Sequence, residues 1–155
     1  MTDHETFKSA DDILDFAIAR EQQSHDWYME LAGKATRDHM KRSFEQFAKE
    51  ELGHKAKLEG VKTGKRIVGS ATKVMDLKMT DYLVADDTGD AEIDYQQALL
   101  LAMKKEKAAF KLYSDLAARV DDPGLAELFS NLAQEEAKHK LRFEVEYDEV
   151  ILTDN

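Results

Sequence analysis

The sequence predicts an all-α fold: an antiparallel four-helix bundle, internally duplicated, with a long crossover between its second and third helices. Three observations carry that prediction. Apolar residues recur at spacings of three and four through four long stretches, as in helices that bury one stripe. One Pro and seven Gly in 155 residues leave little to interrupt those helices. Residues 14–61 also align without a gap on residues 99–146, with thirteen of 48 positions identical at an offset of 85.

The first helix has a start signal at Ser9, with Asp12 three residues on in a capping-box-like arrangement. Its inward stripe reads Leu14, Ala17, Ile18, Glu21, His25, Tyr28, Leu31, Ala32 and Ala35, so a glutamate sits among apolar residues. Thr36-Arg37-Asp38 allows a short break, with Asp38 the expected N-cap of the second helix. That helix carries Met40, Phe44, Phe47, Glu51, His54, Leu58 and Val61, alternating spacings of four and three, and it frays towards Gly60 and Gly64. Residues 64–91 lack a sustained period, but Val74, Met75, Leu77, Met79, Tyr82, Leu83 and Val84 give them apolar content to pack on the bundle. A segment of that length suits a crossover along a helix of about 26 residues, which is about 39 Å long.

The third helix is expected to start near Ala91 and carries Leu99, Ala102, Met103, Glu106, Phe110, Tyr113, Leu116, Ala117 and Val120. Asp122-Pro123 is a strong junction, with Asp at the cap and Pro at the first helical position. The fourth helix carries Leu125, Leu128, Phe129, Leu132, Glu136, His139 and Phe143. The chain thus divides into a hairpin over 9–63, a crossover over 64–91, a second hairpin over 92–147 and an acidic tail over 148–155, all in one domain of residues 1–155.

Composition removes several classes of function. The formal net charge of −10 disfavours nucleic acid and anionic membranes as partners. No cysteine is present, which excludes disulfides, thiolate metal sites and a cysteine nucleophile. The N-terminus is polar and acidic, unlike a signal peptide, and no run approaches the roughly 18 apolar residues of a membrane span. A cytoplasmic location is the expectation. Broad faces on long bundle helices lead us to expect a homodimer.

The chemistry lies in the glutamates and histidines that occupy inward positions. Glu51 and His54 form one Glu-x-x-His, Glu136 and His139 form another, and Glu21 and Glu106 each precede a pair by 30 residues. Residues three apart share a helix face. A single Glu-x-x-His is a common accident, best read as an exposed Glu beside a core His. Here all six residues lie on apolar stripes and recur at one offset. Four buried carboxylates cost several kcal/mol each in effect unless something compensates them, and two divalent cations would do so. Mixed oxygen and nitrogen ligands suit iron or manganese. A Glu from each of two helices with Glu-x-x-His from the other two is a known di-metal carboxylate pattern in helix bundles. We expect Glu51 and Glu136 to bridge two iron ions, with manganese or a mixed pair as the alternative. Glu21 and Glu106 would be terminal ligands, and each His would bind one ion.

Tyr28 and Tyr113 stand seven residues after the lone glutamates, and their hydroxyls could reach those carboxylates across the bundle or could simply pack as core aromatics. His25 has Phe110 as its counterpart, which argues against a ligand role. Glu50 and Glu135, about 100° around the helix from the ligands, face water or bond across the bundle. Trp27 and the six methionines read as packing residues, and His4 and His39 as solvated.

Glu21 with Tyr28, Glu50-Glu51-x-x-His54, Glu106 with Tyr113 and Glu135-Glu136-x-x-His139 make the chain resemble the rubrerythrin branch of the ferritin-like di-iron carboxylate superfamily, over about residues 8–147. The resemblance implies a ferritin-like bundle and reaction of a diferrous site with hydrogen peroxide or O2 in oxidative-stress defence. The alternative is a ferroxidase or iron-handling protein without peroxidase turnover; a third is a bundle that holds metal for stability alone. Two departures stand out. The chain lacks the four-cysteine rubredoxin-like domain that rubrerythrins usually carry, so a separate electron-donor protein is expected. Where they carry a further Glu three residues after the third-helix ligand, this chain has Ala109, leaving the simpler six-ligand form.

Overall fold

The computed structural model describes residues 7–84 and 94–154. Four long helices form the body: α1 (Ala10–Lys34), α2 (Asp38–Thr63), α4 (Tyr95–Arg119) and α5 (Pro123–Asp154). The crossover contributes a 3-10 turn (Val68–Ser70) leading into the short α3 (Ala71–Met75), then a second 3-10 turn (Met79–Tyr82). His4 and the expected helix start near Ala91 lie outside the described residues.

Local chemistry sets the helix ends. The Ser9 hydroxyl accepts from the Asp12 N–H at 3.0 Å, while the Asp12 carboxylate accepts from the Lys8 N–H at 2.9 Å. Asp94 caps α4 in a reciprocal box with Gln97. At the head of α5 the Asp122 carboxylate accepts from the Gly124 and Leu125 N–H groups at 2.8 and 3.4 Å, and Pro123 takes the first helical position. These backbone donors hold the Asp122 carboxyl below its ordinary range.

Two expectations are corrected. Asp38 is the first residue of α2 rather than its cap. Arg37 is the extended N-cap residue, and its guanidinium bonds to Glu146 and Glu149 of α5. The Asp38 charge then acts on the first helical turn without a side-chain cap. The segment from 148, expected as a tail, continues α5 to Asp154. Tyr147 and Val150 extend the inward stripe of Phe143 and pack on the core, and the Arg37 ion pairs tie this last stretch to the α1–α2 connection.

The core is two apolar clusters. One joins the start of α1, the end of α2, the crossover, the end of α4 and the start of α5, through Ile13, Leu14, Leu58, Val74, Tyr82, Leu116, Leu125 and Phe129. The other joins the opposite ends of the helices, through Tyr28, Leu31, Met40, Phe44, Leu99 and Phe143. The crossover is fixed at several points. Arg20 of α1 donates to the Tyr82 and Lys105 carbonyls, Tyr82 donates its hydroxyl to Asp115 of α4 at 2.7 Å, and Lys73 pairs with Asp121 at 2.8 Å. Between the apolar clusters, at mid-height, lies a layer of buried polar side chains.

Candidate metal centre

That layer holds all six sequence-predicted ligands. Glu21, Glu51, His54, Glu106, Glu136 and His139 are each buried, one from α1, two from α2, one from α4 and two from α5. The Glu-x-x-His spacing places each pair on one inward helix face. The antiparallel arrangement then brings the second pair against the first. Two ligand sets result: Glu21, Glu51, His54 and Glu136, and Glu51, Glu106, Glu136 and His139. In each, one donor atom per residue lies within 4.8 Å of the others, and Glu51 and Glu136 belong to both.

The spacing suits ligands that share a cation. His54 Nδ1 lies 3.3 Å from Glu21, 3.5 Å from Glu51 and 3.1 Å from Glu136. His139 Nδ1 lies 2.9 Å from Glu106 and 3.3 Å from Glu51. Donor atoms about 2.1 Å from a shared ion, at angles of about 90–109°, would stand about 3.0–3.4 Å apart. Buried polar groups are normally paired. Yet Glu21 Oε2, both Glu51 oxygens, His54 Nδ1, Glu136 Oε1 and the Tyr28 hydroxyl are buried without hydrogen-bond partners. Outside this layer only Arg119 Nε is in that state among the described residues. The donor set therefore fits a pair of cations.

The outer edge of each histidine is held as well. His54 Nε2 bonds to Glu135 of α5, and His139 Nε2 bonds to Glu50 of α2 at 3.3 Å. With Nε2 as donor, Nδ1 is the atom free to face the centre. Glu50 and Glu135 retain 35% and 37% side-chain exposure, so each connects a buried imidazole to solvent. Both are identical across the repeat, and that identity was the signal available in sequence for pairing across the bundle rather than facing water.

Without cations the layer holds protons. Burial, followed by repulsion from Glu21 and Glu106, raises the Glu51 carboxyl well above its ordinary value. Burial with Glu106, Glu51 and Glu21 does the same to Glu136. Burial alone would lower His54, but the Glu136 and Glu21 carboxylates close to Nδ1 outweigh it and raise the imidazole to about 11. His139 is raised to about 9 against the same burial cost, chiefly through Glu106. His54 pulls the Glu135 carboxyl below its ordinary value despite partial burial.

The two tyrosines break the symmetry. Tyr113 donates to Glu21 Oε1 at 2.7 Å, whereas the Tyr28 hydroxyl is near Glu106 but unpaired. Tyr28 instead sits in an aromatic group, with its ring centroid 5.4 Å from Phe143, 6.1 Å from Trp27 and 6.5 Å from His139. Burial first, and the surrounding carboxylates second, raise both phenols well above the usual range, so both stay protonated. His25 takes no part in the layer; its Nδ1–H donates to the Ala48 carbonyl at 2.9 Å. Ala109, one turn along α4 from Glu106, brings no carboxylate.

His39, Glu146 and Glu149 form another acidic group. Arg37 occupies it, 2.5 Å from Glu146 and 3.2 Å from Glu149, and the Tyr95 hydroxyl donates to Glu146 at 2.9 Å. A cation is already built in.

A family model described as Rubrerythrin matches residues 12–147. The fold is similar to that of a candidate ferritin-like diiron-carboxylate protein from Thermotoga maritima. The TM-score is 0.77 and the identity 19%, with 95% of this chain and 99% of the other covered. No curated protein matches the chain.

Proposed function

The chain belongs to the rubrerythrin family, and we propose that it is a non-haem di-iron oxidoreductase that reacts with hydrogen peroxide or O2 and is reduced by a separate electron donor. Glu21 and His54 would hold one ion, Glu106 and His139 the other, with Glu51 and Glu136 shared. When bound, the iron pair would supply two electrons to the oxidant as each ion passes from ferrous to ferric. The observation that carries this reading is the concentration of unpaired buried donor atoms in one layer, on residues common to two overlapping ligand sets.

The protein's own groups would do the rest. Four carboxylates offset four positive charges in a site where water is excluded by the apolar clusters above and below. Glu50 and Glu135 fix the imidazole tautomers. Tyr113 holds Glu21 in position. The Tyr28 hydroxyl keeps its proton and faces Glu106 without a well-formed hydrogen bond, so it would be able to donate one to an oxidant in the site.

Ala109 favours a second reading, iron oxidation without sustained peroxide turnover, because no fifth carboxylate is available on that face of α4. Stopped-flow oxidation of the Fe(II)-loaded protein separates the two. Faster oxidation by peroxide than by O2 supports the first, and faster oxidation by O2 supports the second. Failure of both oxidants to produce near-ultraviolet absorption of a coupled diferric product would rule out both readings.

A further inference from the structure

The internal repeat supplies its own control for the protein surface. Positions that build the metal layer are the same in both hairpins, so differences on the outer faces are not demanded by the site. Along the outer stripe of α1 stand Asp15, Ala19, Gln22 and Asp26. The matching positions on α4 are Leu100, Lys104, Lys107 and Lys111. Two acids have given way to one apolar residue and three bases, in a protein of net charge −10. Beside this stripe Phe110 replaces His25.

The α4 stripe is open. Leu100 and Phe110 are 40% and 41% exposed, and Leu83 of the crossover, across the same groove, is 56% exposed. The groove has a volume of about 640 Å³, and its lining includes Leu83, Val84, Lys104, Lys107, Phe110 and Lys111, with Asp81 and Asp115 also in its wall. Lys111 is engaged, 3.0 Å from Asp115 and over the Tyr82 ring. Lys104 and Lys107 make no ion pair among the described residues. Asp115 is engaged with Lys111 and Tyr82, which leaves Lys104 and Lys107 as the bases beside the exposed apolar residues, suited to a partner that presents carboxylates around an apolar centre.

We propose that this face of α4 is the docking surface of an acidic one-electron carrier protein that reduces the metal pair, an inference that rests on the oxidoreductase reading above. The opposite face of the same helix carries Glu106 and Tyr113. A docked carrier would therefore stand about one helix diameter, about 10–12 Å, from the metal layer. Each carrier gives up one electron and is oxidised by one unit, one ferric ion becomes ferrous, and two carriers restore the pair. A second copy of this chain docking through the same stripe on both partners would oppose lysine to lysine, which disfavours a symmetric self-association there.

The test uses a purified acidic flavodoxin as probe. Its affinity for the metal-free protein is measured by titration calorimetry at low ionic strength, so the result does not depend on iron. Two double variants of equal net charge are compared: Lys104→Gln/Lys107→Gln on α4, and Gln22→Glu/Met29→Glu on the outer stripe of α1, away from the groove. Binding weakened about tenfold by the first and less than twofold by the second is the expected result. With the iron-loaded, oxidised protein, oxidation of the reduced flavodoxin should slow by a similar factor in the first variant only. No binding, equal weakening by both variants, binding without electron transfer, or a wild-type dimer that only the lysine variant dissociates would each overturn the proposal. If flavodoxin docks and is oxidised as expected but loaded protein reacts with neither peroxide nor O2, the oxidoreductase reading fails and the docking surface stands.

Discussion

The two hairpins, α1–α2 and α4–α5, repeat the same metal-ligand candidates on the inside and differ on the outside. Inward, Glu21, Glu51 and His54 find their equivalents in Glu106, Glu136 and His139. Outward, an acidic stripe on α1 faces solvent where α4 presents leucine and lysine. The inner identity is what a shared pair of cations would demand of both halves, since a ligand cannot change without stranding the charges around it. The outer faces carry no such demand and are free to differ.

The largest effects should come from breaking the inner equivalence at the shared carboxylates. Glu51→Ala or Glu136→Ala removes a donor from both ligand sets. Each is expected to abolish binding of the metal pair, leaving at most one ion per chain by elemental analysis, and the two variants should behave alike. A variant retaining two ions would show that the site does not depend on sharing. One step outward, Glu50→Gln and Glu135→Gln should each weaken Fe(II) affinity about 10- to 100-fold through loss of imidazole orientation, as read by anaerobic titration. An effect at one position only would mean that the halves are not functionally equivalent.

Acid–base behaviour sharpens the comparison between the loaded and metal-free states. In the metal-free protein His139 and His54 are raised from 6.5 to about 9 and about 11. The folded protein therefore holds these protons more tightly than the unfolded chain. Their stabilising contribution is complete below about pH 6.5 and is lost as pH rises through 9 towards 11. The metal-free melting temperature should fall across that window. The loaded protein should not follow it, because cations take the place of the protons. A smaller effect separates the tyrosines. Tyr113→Phe removes a bond to Glu21 and should cost about 1.5–3 kcal/mol in the metal-free protein. Tyr28→Phe removes an unpaired buried hydroxyl and should be neutral or mildly stabilising. Equal losses in urea unfolding would contradict the asymmetry.

Periodicity and the 85-residue register made the four helices, the mid-height layer and its six buried donors legible in the sequence, because stripe positions and burial follow directly from helix geometry. Long-range partners were not legible. Arg37 displaced Asp38 as the cap residue of α2 because its side chain reaches Glu146 and Glu149, more than 100 residues away. The same contacts, with Tyr147 and Val150 packed on the core, turned an expected tail into the end of α5. Tyr28 and Tyr113 are equivalent in sequence but not in structure. The aromatic group around Tyr28 includes Trp27, Phe47 and Phe143, whose repeat counterparts Leu112, Leu132 and Leu58 carry no rings.

The most direct measurement is anomalous diffraction at the iron edge from crystals loaded anaerobically with Fe(II). Two peaks per chain should appear between α2 and α5, each beside one histidine Nδ1, with Glu51 and Glu136 contacting both. A single peak, or iron bound only at the surface carboxylates while the buried layer stays empty, would contradict a shared two-ion centre.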